Sequence, residues 1–179
     1  MKPLLYLIGY RGTGKTTAGQ LLAARIGWEF VDADVFLETR YAKSIKEIFA
    51  EEGEAGFREK ESICLRELTG RRDCIVATGG GIVLRQENRT LIHETGTVVW
   101  LTAAASTISR RIQGDSTSAT RRPNLSIGGL AEIEELLRFR EPLYRACADL
   151  EIASEGLSPE RLVETILTRW NPITPSSSK

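Results

Sequence analysis

The stretch Gly9-Tyr10-Arg11-Gly12-Thr13-Gly14-Lys15-Thr16-Thr17 constrains this chain more than any other, because it satisfies G-x-x-x-x-G-K-[ST] in full. Before it, Leu4-Leu5-Tyr6-Leu7-Ile8 is a short apolar run suited to a buried parallel strand. After it, residues 18–26 carry apolar side chains at helical spacing. A glycine-rich turn from strand to helix lets successive backbone N–H groups point inward at phosphate oxygens, and the helix N-terminus adds positive potential. Lys15 is expected to reach the β- and γ-phosphates and Thr16 to offer its hydroxyl to Mg²⁺. An ordinary glycine-rich turn would satisfy part of the pattern. Its fixed positions between a strand and a helix favour a nucleoside triphosphate site, with Gly12, Thr13, Gly14, Lys15, Thr16 and Thr17 around the phosphates.

With 179 residues, the chain has the length of one domain and can bury a core without a disulfide or a structural metal. Lys and Arg total 24 and Asp and Glu total 24, so no net field favours a nucleic acid or an anionic membrane. A small-molecule ligand and a monomeric protein are expected. Cys64, Cys74 and Cys147 are odd in number and form no C-x-x-C pair, which argues against a disulfide framework and a zinc site. The apolar run after Lys2 ends at Gly9 and Arg11, too short for a signal core or a membrane span, so the protein is expected to be cytoplasmic.

Further along, Trp28-Glu29-Phe30-Val31-Asp32 reads as a second strand, with Asp32-Ala33-Asp34 at the end that opens onto a ligand crevice. Asp34 can serve chemistry, cap the helix expected over 35–41, or do both. Ser44-Ile45-Lys46-Glu47 has the form of a capping box, and Gly53 should break the short helix it starts. A second helix is expected up to about Gly70. Cys74-Ile75-Val76-Ala77-Thr78 reads as a strand running into Gly79-Gly80-Gly81, either a flexible turn or a place of close backbone approach to a ligand. A helix over 85–94, a strand over 97–101 and a helix over 103–112 follow, and His93 receives no catalytic role. Residues 113–125 are polar and small and include Arg121-Arg122-Pro123, which suits either a surface loop or a lid. A helix over 130–145, a strand at Leu150-Glu151-Ile152-Ala153 and a helix opened by Ser158-Pro159 complete the pattern, with a disordered tail expected over 171–179. Strands alternating with helices imply an α/β fold with an open parallel sheet covered on both faces.

Taken in order, the glycine-rich loop, Asp32-Ala33-Asp34, Phe57-Arg58-Glu59-Lys60-Glu61, Gly79-Gly80-Gly81, Arg122-Pro123 and Arg140-Glu141-Pro142-Leu143-Tyr144 make the sequence resemble the shikimate kinases over about residues 3–170. The resemblance implies a P-loop fold of the nucleoside monophosphate kinase type, a three-layer sandwich with a five-stranded parallel sheet in the order 2-3-1-4-5. It also implies an acceptor-binding insertion at about 33–61 and a lid at about 113–125 within a single kinase domain, residues 1–170. The implied reaction moves the ATP γ-phosphoryl group to the 3-hydroxyl of shikimate on the chorismate route to aromatic amino acids. Position by position, the resemblance makes Lys15, Asp34 and Arg122 catalytic, and gives the acceptor to Asp34, Arg58, Gly79, Gly80, Gly81 and Arg140. Arg111 and Arg122 join the nucleotide site, and Mg²⁺ falls to Thr16 and, through water, to Asp32. Arg122 rather than Arg121 matches the lid position, because Pro123 follows it. Glu61 either braces the substrate arginines or forms a local ion pair with Arg58.

Two other readings compete. A gluconate or nucleoside monophosphate kinase would use the same scaffold, but no base pocket for a nucleotide acceptor is evident. A nucleotide-dependent switch would need a guanine signature of the N-K-x-D type, which does not follow the phosphate loop.

Overall fold

A computed structural model describes residues 4–114 and 129–171. The elements in chain order are β1 (Leu4–Ile8), α1 (Lys15–Ile26), β2 (Glu29–Asp32), α2 (Ala33–Tyr41), α3 (Ile45–Leu68), β3 (Cys74–Ala77), a 3-10 turn (Ile82–Leu84), α4 (Gln86–Thr95), β4 (Gly96–Thr102), α5 (Ala105–Gly114), α6 (Gly129–Cys147), β5 (Leu150–Ala153) and α7 (Pro159–Trp170). The five strands form one parallel sheet in the order β2-β3-β1-β4-β5, as the resemblance implies.

Alternation along β1 sorts the core into two layers. Leu4, Tyr6 and Ile8 pack with Val76, Val98 and Trp100 beneath Leu65, Leu68, Ile92 and Tyr144, which come from α3, α4 and α6. Leu5 and Leu7 face the other way, with Ile75, Val99, Leu101 and Ile152 beneath α1 and α7 through Leu22, Leu162 and Ile166. Covering both faces explains why β1 is apolar at every position and wholly buried. Leu37, Ile45, Ile48, Phe57 and Cys64 form a separate small core that holds α2 against α3.

Several boundaries differ from the sequence reading for identifiable reasons. The periodic apolar face of α1 starts at Ala18, but the helix itself starts at Lys15, directly after the glycine turn. The second helix likewise starts at Ala33 rather than 35, and its N-cap is Asp32: one carboxylate oxygen accepts from the backbone N–H of Asp34 at 3.1 Å and of Val35 at 3.3 Å. The capping alternative therefore belongs to Asp32 and not to Asp34. The capping box at Ser44 and Glu47 is present, and Gly53 interrupts α3 with φ 68 and ψ −172. All but Asn171 of the expected tail and all but the first two residues of the expected lid lie outside the described residues.

Candidate active site

In a parallel sheet every strand delivers its carboxyl end to the same edge, and the register aligns Leu7 and Asp32 with Ala77, and Ile8 with Trp100. The loops that leave β1, β2 and β3 therefore open side by side: Gly9–Thr17 (numbers 9–17), the Asp32 corner, and Gly79 to Gly81. Helix α1 begins after Gly14 with no side chain capping its N–H groups and no acidic residue in its first turn. A helix end of this kind favours an anion.

Lys15 is 8% exposed and folds back over the loop, donating to the carbonyls of Gly9 at 2.9 Å and Tyr10 at 2.8 Å. A triphosphate would give the same ammonium charged acceptors, which bind it more strongly than neutral carbonyls do. Thr13 is buried and donates its hydroxyl to the Tyr10 carbonyl at 2.8 Å, which stiffens the turn. Thr16 donates to the second carboxylate oxygen of Asp32 at 2.9 Å, so the two groups assigned to Mg²⁺ are already neighbours. A hydroxyl and a carboxylate are hard oxygen donors of the kind Mg²⁺ takes alongside phosphate oxygens. Asp34 sits in the first turn of α2, half-buried, one residue past the Asp32 corner.

Across the sheet edge, against the glycine turn after β3, Arg58 of α3 is 7% exposed and is held at both edges of its guanidinium. Nη1 donates to Glu61 at 2.8 Å, while Nε and Nη2 reach one oxygen of the exposed Glu54 at 3.3 and 3.2 Å. Glu61 thus pairs with Arg58 in a buried setting, where a cation needs a partner. Gly81 explains itself here: a Cβ on it would lie 2.3 Å from Arg58 Nη1, so only glycine lets the guanidinium press against this turn. Arg140 approaches from α6, its guanidinium 5.7 Å from the centre of the Tyr10 ring in the phosphate loop. The Arg140 Nε is buried and has no hydrogen-bond partner among the described residues.

A cavity of about 280 Å³ opens beside the phosphate loop, lined by Thr13, Gly14, Thr17, Arg111, Leu157 and Leu162 among others. Arg111 is fixed by bonds to the Gly12 carbonyl and to the Ser154 hydroxyl and carbonyl, all at 3.1 Å. An apolar slot with one guanidinium at its wall suits a purine ring.

The structure therefore gathers Gly12, Thr13, Gly14, Lys15, Thr16, Thr17, Asp32 and Arg111 around the phosphate loop, and joins Arg58 to Gly81 and Arg140 to Tyr10. Arg122 and its neighbour Arg121 lie outside the described residues. His93 pairs at 3.9 Å with Asp149 at the amino end of the sheet, far from this edge in the topology. Sequence reasoning gave no part to Glu54, Ser154 or Tyr10. The i,i+4 spacing of Glu54 and Arg58 was the one visible signal for the first; the other two act through contacts that only the fold creates.

A glycine-rich phosphate-loop motif on the central strand of a 2-3-1-4-5 sheet, with a cavity on one side and buried arginines on the other, is the architecture of a P-loop kinase of small molecules. The shikimate kinase family model matches residues 11–171, and the chain belongs to that family. It is 44% identical to a shikimate kinase of Rhodopirellula baltica over 97% of this chain and 91% of the relative. A structure titled shikimate kinase from Acinetobacter baumannii in complex with shikimate superposes with a TM-score of 0.86 at 34% identity, covering 96% of this chain and 95% of the other. A gluconokinase from Sinorhizobium meliloti superposes with a TM-score of 0.61 at 12% identity, covering 97% of this chain and 94% of the other, which shows the common scaffold alone.

Proposed function

We propose that the protein transfers the γ-phosphoryl group of ATP to the 3-hydroxyl of shikimate, giving shikimate 3-phosphate and ADP on the chorismate route to aromatic amino acids. Beyond membership of the family, the observation that carries the acceptor assignment is Arg140. Beside the phosphate loop, its buried Nε lacks a hydrogen-bond partner among the described residues, and a guanidinium donor so placed favours an anionic ligand. Arg58 faces the glycine turn from α3, and planar guanidinium forks match a carboxylate. In this reading Gly79, Gly80 and Gly81 supply close backbone contacts to the acceptor. Asp34 orients its hydroxyls and can accept the proton of the attacking one.

Phosphoryl transfer asks a protein mainly for positioning and for charge placed where it develops. Lys15 supplies that charge at the β- and γ-phosphates, and Arg111 borders the base. Arg122 keeps the role the resemblance gives it, a second cation on the phosphates. Thr16 directly and Asp32 through water would hold Mg²⁺, which when bound neutralises phosphate charge. The protein would work in the cytoplasm as a monomer; among the described residues no helix is long and apolar enough to cross a membrane.

The test is ADP release from purified protein given MgATP with shikimate, gluconate, CMP or AMP in separate reactions. Shikimate should be the acceptor that turns over. Turnover of gluconate or a nucleotide without turnover of shikimate would replace this reading with the corresponding kinase on the same scaffold.

A further inference from the structure

Tyr144 lies on α6 one turn beyond Arg140 and is 0% exposed. Its ring stacks on Trp100 of β4, with centroids 5.6 Å apart and planes 23° apart, and its hydroxyl donates to the carbonyl of Gly80. Packing alone would be served by phenylalanine, whereas a buried phenol needs a partner for its O–H. The partner is the middle residue of the glycine turn. That residue has no spare room: a Cβ on Gly80 would meet the Gly9 carbonyl at 3.3 Å and both the Tyr10 Cα and the Tyr144 hydroxyl at 3.5 Å.

A peptide unit is planar and trans, so fixing the direction of one carbonyl fixes the N–H of the following residue, which points the opposite way. Holding the Gly80 carbonyl therefore aims the Gly81 N–H. Glycine at three successive positions leaves this peptide no side chain of its own to restrain it; the bond from the Ile82 N–H to the Gly79 carbonyl at 3.2 Å closes the turn around it, and the Tyr144 hydroxyl holds the peptide's carbonyl within that turn. We infer that Tyr144 is a positioning residue for the acceptor, its hydroxyl locking the Gly80–Gly81 peptide in the orientation that shikimate meets. The inference rests on the reading that the glycine turn contacts the acceptor. It assigns Tyr144 no contact with shikimate itself.

The test is Tyr144→Phe, which keeps the ring and its stack on Trp100 and removes only the donor, with Trp100→Phe as a control that thins the stack and keeps the donor. The expected result for Tyr144→Phe is a rise of about three- to tenfold in the shikimate KM, the MgATP KM changing by less than about twofold. Calorimetric titration of the folded variant with shikimate should show the same loss. Trp100→Phe should lower the melting temperature and leave the shikimate KM near its original value. A Tyr144→Phe variant that is less stable with an unchanged shikimate KM, or that does not fold, assigns the hydroxyl to stability and overturns the inference. So does an equal rise in KM for Trp100→Phe. Unaltered protein that fails to phosphorylate shikimate would instead remove the functional reading, before any variant is compared.

Discussion

At the scale of single residues, Asp32 does two jobs with two oxygens. One caps α2 and the other accepts from Thr16 in the phosphate loop. The jobs separate by substitution. Asparagine caps as well as aspartate does, so Asp32→Asn should retain thermal stability while requiring more Mg²⁺ for half-maximal turnover. Asp32→Ala should show the same metal defect and also lose about 1 kcal/mol of stability, read from denaturant midpoints. Equal Mg²⁺ requirements in Asp32→Asn and the unaltered protein would remove Asp32 from the metal site. Lys15→Ala should leave the fold standing and cut turnover on the order of a hundredfold or more, because its ammonium would meet charge that grows during transfer. Near-normal turnover in that variant would contradict the role given to Lys15. The phosphate loop was legible in the sequence because its chemistry is local, four fixed residue types within eight positions. The division of labour within Asp32 was not, since both carboxylates precede the helix expected over 35–41, and only the backbone path shows that its first N–H groups meet Asp32.

At the scale of elements, α3 is the piece whose shape matters most. Its break at Gly53 starts a new helical run at Glu54, so that Glu54 and Arg58 fall one turn apart and Arg58 faces the glycine turn. The backbone at Gly53, φ 68 and ψ −172, is a region that residues with a Cβ scarcely visit. Nothing lies within 4 Å of where its Cβ would be, so strain rather than collision sets the cost of a side chain. Gly53→Ala should destabilise by roughly 1–3 kcal/mol, and any relaxation of the bend should raise the shikimate KM more than the MgATP KM. A variant of unchanged stability and unchanged kinetics would show that the bend is incidental. Glycine marked this break in the sequence, as Ser44 and Glu47 marked the capping box before it. What could not be read there is the pairing of α6 with the phosphate loop: Arg140 and Tyr10 are far apart in the chain, and their contact depends on how α5 and α6 pack around Ile108 and Ile133.

At the scale of the whole molecule, ionisable groups inside the core set a limit on alkaline stability. Burial pushes the thiols of Cys64, Cys74 and Cys147 from 9.0 up to about 11. Burial likewise raises the Tyr6 phenol from 10.0 to about 12, against a smaller lowering from its bond with Thr95. In the unfolded chain these protons leave first, so between the unfolded and folded values the native state binds more protons and stability falls as pH rises. Their contribution is complete below pH 9 and should be lost between pH 9 and 11 for the thiols, and between pH 10 and 12 for Tyr6, at ~1–3 kcal/mol per group. Urea midpoints at pH 8 and pH 10.5 should reveal it, and equal midpoints would contradict the burial of these groups. All three cysteines are free and buried.

The central place of β1 has a consequence for how the chain is made. Leu4–Ile8 leaves the ribosome first among the strands, yet every partner in its ladders belongs to β3 or β4, at Cys74 or beyond. At about 5–20 residues per second, synthesis from Ile8 to Ala77 occupies roughly 3–14 s. Throughout that interval five consecutive apolar or aromatic residues have no native strand to pair with. The first strand therefore cannot enter its native ladder until the third has been made, and mutations that slow folding of the intervening helices should lower soluble yield in the cell more than they lower the stability of the finished enzyme.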